Sequence, residues 1–231
     1  MTWTDPSLLL TGAFVAIVGA VLGMLALGLV RAQQPRPWAV VVAVAIWMGF
    51  TAALAGSGVL VRGLPTSLFP FMGASMLAAV ALAFSSVGTR LASLPLVALV
   101  GFQGFRLPLE VVLHRLHGEG VIPVTMTWSG RNLDVIAGAL ALAAIPALRS
   151  EAMKRWHRPV AMAFNLLGLT LLLNVMVTAV LSSPVPVRRF FADPPLQLAF
   201  HVPWVWIVPI CVAGALCCHL ILFRALARPS P

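Results

Sequence analysis

The most regular feature of the sequence is a series of long apolar runs separated by short polar breaks. The runs cover residues 8–30, 38–60, 66–87, 91–116, 132–149, 159–182 and 202–224, to within a few residues. The breaks contain turn-forming residues, such as the stretch from Gln33 to Pro37, Pro65, and the four prolines between Ser182 and Pro195. A helix needs about 20 apolar residues to cross a bilayer. The pattern therefore predicts an all-α, polytopic transmembrane bundle of seven helices that forms one domain over residues 1–231, with the fifth span the shortest.

Composition supports this fold class and excludes two others. The chain has 231 residues, of which 61% are hydrophobic and 9% are charged, whereas a soluble domain carries about 25% charged residues. Such a chain has too few polar side chains to cover the surface of a water-soluble protein, and it is too apolar to be disordered. The three cysteines lie in one apolar run without a CxxC pair, which predicts buried packing residues rather than disulfides.

The charge pattern predicts the orientation in the membrane. The formal net charge is +9, but the basic residues are scattered over the loops, which argues against nucleic-acid binding. With the N-terminus outside and the C-terminus cytoplasmic, nine of the 15 Lys and Arg residues lie on the inner side, and Glu151 is the single acid there, while Asp193 is among the outer acids. Residues 1–7 lack the basic region of a signal peptide. We therefore expect a multi-pass protein of the cell inner (plasma) membrane that keeps its first helix.

The fourth run carries polar residues that a membrane-spanning helix normally avoids. At helical spacing they form one stripe on one face: Gln103, Arg106, Glu110, His114 and His117. This face should point to the bundle interior. Pro108 within the stripe predicts a kink, because proline removes a backbone hydrogen bond and crowds the residue four positions earlier, Gly104.

Further polar residues follow at the outer ends of the later spans. They are Arg131, Asn132, Asp134, Asn174 and His201. Asp134 also suits the first turn of a helix because of the helix dipole, with Asn132 or Ser129 as the N-cap. The predicted topology places all of these residues near the depth of Arg106 and Glu110, which predicts a polar pocket near the outer face.

Three interpretations of this pocket stay open. In the first interpretation, Arg106 and Glu110 form an ion pair, extended by Asp134 and Arg131, whose role is only to hold the helices together. Alternatively, Arg106 binds a carboxylate or phosphate of a ligand, with Arg131, Asn132, Asp134 and Asn174 around it.

The third interpretation is a metal site for zinc or iron. The spacing of Glu110, His114 and His117 places three candidate ligands on one helix face, and His201 would add a fourth ligand. The HExxH pattern of zinc proteases is absent. His219 lies five turns after His201 in the last run, too far to share an ion with it.

Other catalytic patterns are absent from the sequence. It contains no GxSxG, P-loop or GxGxxG motif, and its one lysine, Lys154, lies in a loop, which excludes a retinal Schiff base. The sequence thus identifies no catalytic residue.

Several motifs in the C-terminal half, roughly residues 100–226, resemble a group of uncharacterised bacterial seven-helix membrane proteins. They are Arg106-x-Pro108-x-Glu110, then Gly130-Arg131-Asn132-x-Asp134, Asn174, Ser182 or Ser183 with Pro184 and Pro186, Pro203-Trp204, Pro209 and His219. The resemblance implies a fold and the location of a site, but no chemistry.

The sequence thus leaves three functional hypotheses. The first is an integral membrane protein that binds or moves a small or lipidic ligand in a polar pocket near the outer face. The second is a metal-dependent membrane enzyme that uses Glu110, His114 and His117. The third is an accessory subunit that packs against a larger membrane complex through small residues of its first helix. The expected partners are the lipid bilayer, a small-molecule or lipid ligand, or a membrane-complex partner.

Overall fold

The structure is a computed structural model that describes residues 3–64, 66–192 and 194–228. Pro65 and Asp193 lie outside the described residues. The helices are α1 (Leu8–Arg31), α2 (Pro37–Gly56), α3 (Val59–Arg62), α4 (Leu68–Phe84), α5 (Ser86–Leu91), α6 (Leu96–Phe102), α7 (Arg106–Gly118), α8 (Asp134–Arg149), α9 (His157–Ser182) and α10 (Ala213–Ala227). The described residues contain no β-strand, which confirms the all-α prediction.

Five helical stretches are long and apolar enough to cross a membrane. They are Leu8–Arg31, Pro37–Gly56, Leu96–Gly118, Glu151–Ser182 and Trp204–Ala227. Two further predicted spans correspond to shorter helices, α4 with 17 residues and α8 with 16. The protein is therefore built as a membrane protein.

The peripheral helices expose apolar side chains rather than burying them. In α2 the residues Val42, Ile46 and Phe50 are each more than half exposed, and α1 and α2 bury a smaller share of their surface than the last helical stretch does. A helix that is apolar on all sides and exposed is suited to lipid contact. The inner layer is formed by α6, α7 and α10, which pack against α8 and α9.

The helix that contains the polar stripe is interrupted in its middle. A 3-10 turn, Gln103–Phe105, separates α6 from α7 and lies just before Pro108. At this turn a Cβ on Gly104 would lie 2.6 Å from Cδ2 of Leu142 in α8. The predicted distortion is present, and it brings α8 close to the break.

The segment between α7 and α8 turns back into the bundle. Glu119 lies at the end of the molecule, where its carboxylate accepts a hydrogen bond from the backbone N–H of Ser7. At about 1.5 Å per residue, α7 places Arg106 about 18 Å from that end, yet Asp134 contacts Arg106. Residues 121–133 therefore descend into the protein, and Ile122 and Asn132 are fully buried. This explains why α8 is short: irregular backbone replaces its first turns, which is tolerated at membrane depth only inside protein.

The last helical stretch is also irregular where it enters the bundle. It begins with a 3-10 turn, Trp204–Ile207, and a π-helical turn, Val208–Val212, before α10. The three cysteines of this stretch are free and buried, as the sequence predicts.

Candidate functional site

Arg106 is the centre of a buried polar network that joins four helices. The side chain is 1% exposed, and its Nε donates to Oδ2 of Asp134 at 2.6 Å. Its Nη2 donates to Oδ1 of Asp134, and both Nη atoms donate to the backbone carbonyl of Gly168 at 3.2 Å. The remaining contact joins Nη1 to Nε2 of His219 at 3.1 Å. A guanidinium has five N–H donors, so these five contacts use all of them.

The contact with Arg106 determines the tautomer of the neutral His219 ring. Arginine has no acceptor, so Nε2 of His219 accepts the hydrogen bond and the proton of the neutral ring lies on Nδ1. Nδ1 then donates to Oδ1 of Asn165 at 2.7 Å, and Nδ2 of Asn165 donates to the backbone carbonyl of His219 at 3.2 Å. His219 and Asn165 are both fully buried. His219 thus binds Nη1 of Arg106, while Asn165 holds the His219 ring in place.

Two glycines make room for this network. A Cβ on Gly168 in α9 would lie 2.7 Å from Cε1 of His219 and 3.5 Å from Nη1 of Arg106. A Cβ on Gly138 in α8 would overlap the backbone of Leu107 in α7. Glycine at these two positions therefore permits the close approach of α7, α8 and α9 around the guanidinium.

Glu110 lies one turn beyond Arg106 but belongs to a separate hydrogen bond. Its Oε2 accepts from Nδ2 of Asn132 at 2.7 Å, and the side chain is 2% exposed. Oε1 accepts no hydrogen bond from the described residues. Asn132 also accepts from the backbone N–H of Asp134 at 3.1 Å, but the N-cap position of α8 is Leu133, so neither Asn132 nor Ser129 is the N-cap residue.

A cavity of about 80 Å³ lies beside these groups. Apolar side chains of α4, α7, α9 and the last helical stretch form most of its wall, for example Met72, Leu113, Val175 and Val208. Charged residues line it at Arg106, Glu110 and Asp134. The cavity is thus an apolar chamber with a polar end.

The structure changes the expectations for three residues of the site, Arg106, Asn174 and Arg131. Arg106 pairs with Asp134 and not with Glu110, because α8 begins inside the bundle and presents its first carboxylate to the guanidinium. Asn174 lies away from the cavity wall and donates to the backbone carbonyl of Arg131 at 2.7 Å, while the Arg131 side chain lies over the ring of Phe190.

The depth of the network also differs from the prediction of a site near the outer face. Arg106 contacts Gly168, near the middle of Glu151–Ser182, and His219, near the middle of α10. The polar end of the cavity therefore lies in the interior of the bundle.

Sequence reasoning missed Gly168 and His219 as partners of Arg106, and Asn165 as the partner of His219. For His219 and Asn165 the signal was present, because a polar residue in an apolar run needs a partner. What the sequence did not show was that α8 begins inside the bundle and so places Asp134 beside Arg106.

The three histidines proposed as metal ligands have different surroundings. His114 stacks on Trp128 with ring centroids 4.0 Å apart, and His201 stacks on Trp3 at 3.8 Å. His117 contacts the backbone carbonyl of Ile122 through Nδ1. Within residues 3–64, 66–192 and 194–228, no group of three His, Cys, Asp or Glu side chains has the arrangement of a metal site, so the geometry lends the metal hypothesis no support.

Two titratable groups at the end that contains Ser7 have shifted pKa values. Hydrogen bonds from Ser7 hold the pKa of Glu119 below its ordinary value of 4.5. Burial lowers the pKa of His201, and the carboxylate of Asp5 partly opposes this shift. Both groups attach the segment before α1 to the rest of the protein.

Comparison with known proteins gives a family without a known activity. The family model described as "Domain of unknown function (DUF8737)" matches residues 64–227. This match covers the site and more than half of the chain, and the chain therefore belongs to that family. No curated protein and no solved structure matches the chain.

Proposed function

We propose that this member of the DUF8737 family is a seven-helix membrane protein that binds a small or lipidic ligand in its interior cavity. The observation that carries the proposal is the combination of apolar walls with the buried carboxyl of Glu110, whose Oε1 has no hydrogen-bond donor among the described residues. Ligand sites have this character: mostly apolar, with a few polar groups that orient the ligand.

The contacts at the two ends of the molecule support seven crossings. Ser7 and Glu119 meet at one end. At the other end Arg90 donates to the backbone carbonyl of Gln33, and Arg224 donates to Thr89. The chain therefore leaves and returns to this second end between Gln33 and Thr89, which accounts for α2 and the short α4 as two crossings.

We propose that the end with Ser7 faces outward in a bacterial inner membrane, because most basic residues lie at the other end. Thr4 and Ser93 are exposed on opposite predicted sides, and the native cysteines are buried. In spheroplasts, an impermeant maleimide should label Thr4→Cys directly and Ser93→Cys only after lysis. The reverse pattern would overturn the orientation.

Filling the cavity tests the ligand proposal. Ala179 lines the cavity, and Ala163 lies exposed on the same helix, α9. The protein should be purified in mild detergent and analysed by native mass spectrometry for retained small molecules. We expect a bound species in the wild type and in Ala163→Phe, and its loss in Ala179→Phe. Equal retention by both variants would contradict the proposal.

A further inference from the structure

We infer that the ligand carries a hydrogen-bond donor, a hydroxyl or a protonated amine at the end of an apolar body, and that Glu110 accepts this bond. The inference rests on the proposed function, because it assigns the chemical class of the ligand to the same cavity. It also reverses the expectation that Arg106 binds an anionic group.

Arg106 lines the cavity but has no donor left for a ligand. Its five N–H groups bind Asp134, Gly168 and His219. An anion would have to displace one of these buried partners, and that partner would then lose its hydrogen bond inside the protein.

The other polar groups of the wall are also occupied, with one exception. Both oxygens of Asp134 accept from Arg106, and the hydroxyl of Ser183 donates to the backbone carbonyl of Ala179 at 2.7 Å. Glu110 uses Oε2 for Asn132, which leaves Oε1 without a partner among the described residues. A carboxyl oxygen accepts from a hydroxyl in either protonation state and from a protonated amine when the carboxyl is ionised. A ligand that enters the polar end therefore meets a carboxyl group and no free cation within the described part of the chain.

The cavity also limits the size of the buried part. A water-sized group needs about 10–15 Å³ by this measure, so 80 Å³ accommodates about five to eight non-hydrogen atoms. Leu109, Leu172 and Val175 supply apolar contact for the body of the ligand. Molecules of six carbons with one terminal group match these dimensions.

A matched series of four probes tests this assignment: n-hexane, hexan-1-ol, hexylamine and hexanoate. Binding to the purified protein in detergent is measured by saturation-transfer NMR and by the shift of the unfolding midpoint, which depends on ligand affinity. The Ala179→Phe protein, with its filled cavity, corrects for partition into micelles. We expect hexan-1-ol or hexylamine to bind at least tenfold more tightly than n-hexane, and hexanoate to bind more weakly than n-hexane.

The variant Glu110→Gln identifies which donor is preferred. It should lose hexylamine binding at least tenfold if the natural group is an amine, and should retain hexan-1-ol within about threefold because the amide oxygen still accepts. Glu119→Gln, which changes an exposed carboxyl just after the C-terminus of α7, serves as the control and should leave the series unchanged. If Glu110→Gln does not fold, the order of the four probes on the wild type still decides the question.

The possible failures are distinguishable. Tight binding of hexanoate, or equal binding of all four probes, would overturn the donor assignment and leave the cavity proposal standing. If n-hexane and the other probes bind the wild type no better than Ala179→Phe, the cavity does not take ligands and the proposed function fails as well.

Discussion

Arg106 and Asp134 form a two-point ion pair between the first residues of α7 and α8, in the interior of the bundle. Both side chains are nearly fully buried. The pair stands at the N-terminus of α8, where the helix dipole also favours a carboxylate. It attaches the irregular segment after α7 to the core.

Removing one partner of this pair should destabilise the protein strongly. Asp134→Asn keeps the shape of the side chain but leaves the guanidinium without its counter-charge. We expect a loss of about 3–5 kcal/mol in the free energy of unfolding, measured by denaturant titration in detergent. The control is Glu151→Gln, which removes an exposed pair with Lys154 (3.6 Å) and should change stability by less than about 1 kcal/mol. Equal effects of the two variants would contradict the role of the buried pair.

His219 and Asn165 should act as one unit. His219→Leu leaves one N–H of Arg106 without an acceptor, and Asn165→Leu leaves Nδ1–H of His219 unpaired, at about 1–3 kcal/mol each. The double variant should cost less than the sum by at least about 0.5 kcal/mol. Nitrogen NMR of the wild type should show the proton on Nδ1 and not on Nε2; the other tautomer is incompatible with the arginine contact.

Gly168→Ala should be destabilising although alanine favours helices. The added methyl group would lie 2.7 Å from a ring that Arg106 and Asn165 hold in place. We expect a loss of about 1–3 kcal/mol. A Cβ on Gly214 in α10 would meet no atom within 4 Å. Gly214→Ala should therefore raise the free energy of unfolding by up to about 1 kcal/mol. Thermal unfolding of both proteins checks the opposite signs.

The contact between Ser7 and Glu119 should depend on pH. The pKa of Glu119 is lower in the folded state than its ordinary value of 4.5, so the ionised carboxylate stabilises the folded state. This contribution is complete above the unfolded-state pKa and is lost as the pH falls through the lower folded-state value. The stability difference between the wild type and Glu119→Gln should therefore be largest near neutral pH and vanish in strong acid. A difference that grows toward acid would reverse the sign and contradict the contact.

The long helices were predictable because a helix in contact with lipid needs a long run of apolar residues. The start of α1 at Leu8 and the end of α9 at Ser182 agree with the predicted runs. The number of seven crossings stays a proposal, since α4 and α8 are shorter than a full span. The orientation stays a proposal that rests on the distribution of basic residues.

The partners within the site were less predictable. Helical spacing places Glu110 one turn from Arg106 and favours a pair within one helix. The true partner, Asp134, depends on how far residues 121–133 descend into the bundle, which periodicity does not report. Likewise, Asn165 and Asn174 are two similar asparagines in one apolar run, and only the packing of α9 against α10 selects Asn165.

In the proposed seven-helix topology, the short α8 has a consequence for how the protein is inserted into the membrane. At 16 residues it is about 24 Å long, less than the roughly 30 Å of a hydrocarbon core, and its first residue is an acid. Such a segment is a poor substrate for the insertion machinery on its own, because it is short and begins with an acidic side chain that lipid disfavours. Its carboxylate finds compensation in Arg106, which is synthesised earlier in the chain. Insertion of α8 therefore depends on helices that are synthesised before it. We expect loss of Arg106 to impair the integration of α8 into the membrane during biogenesis.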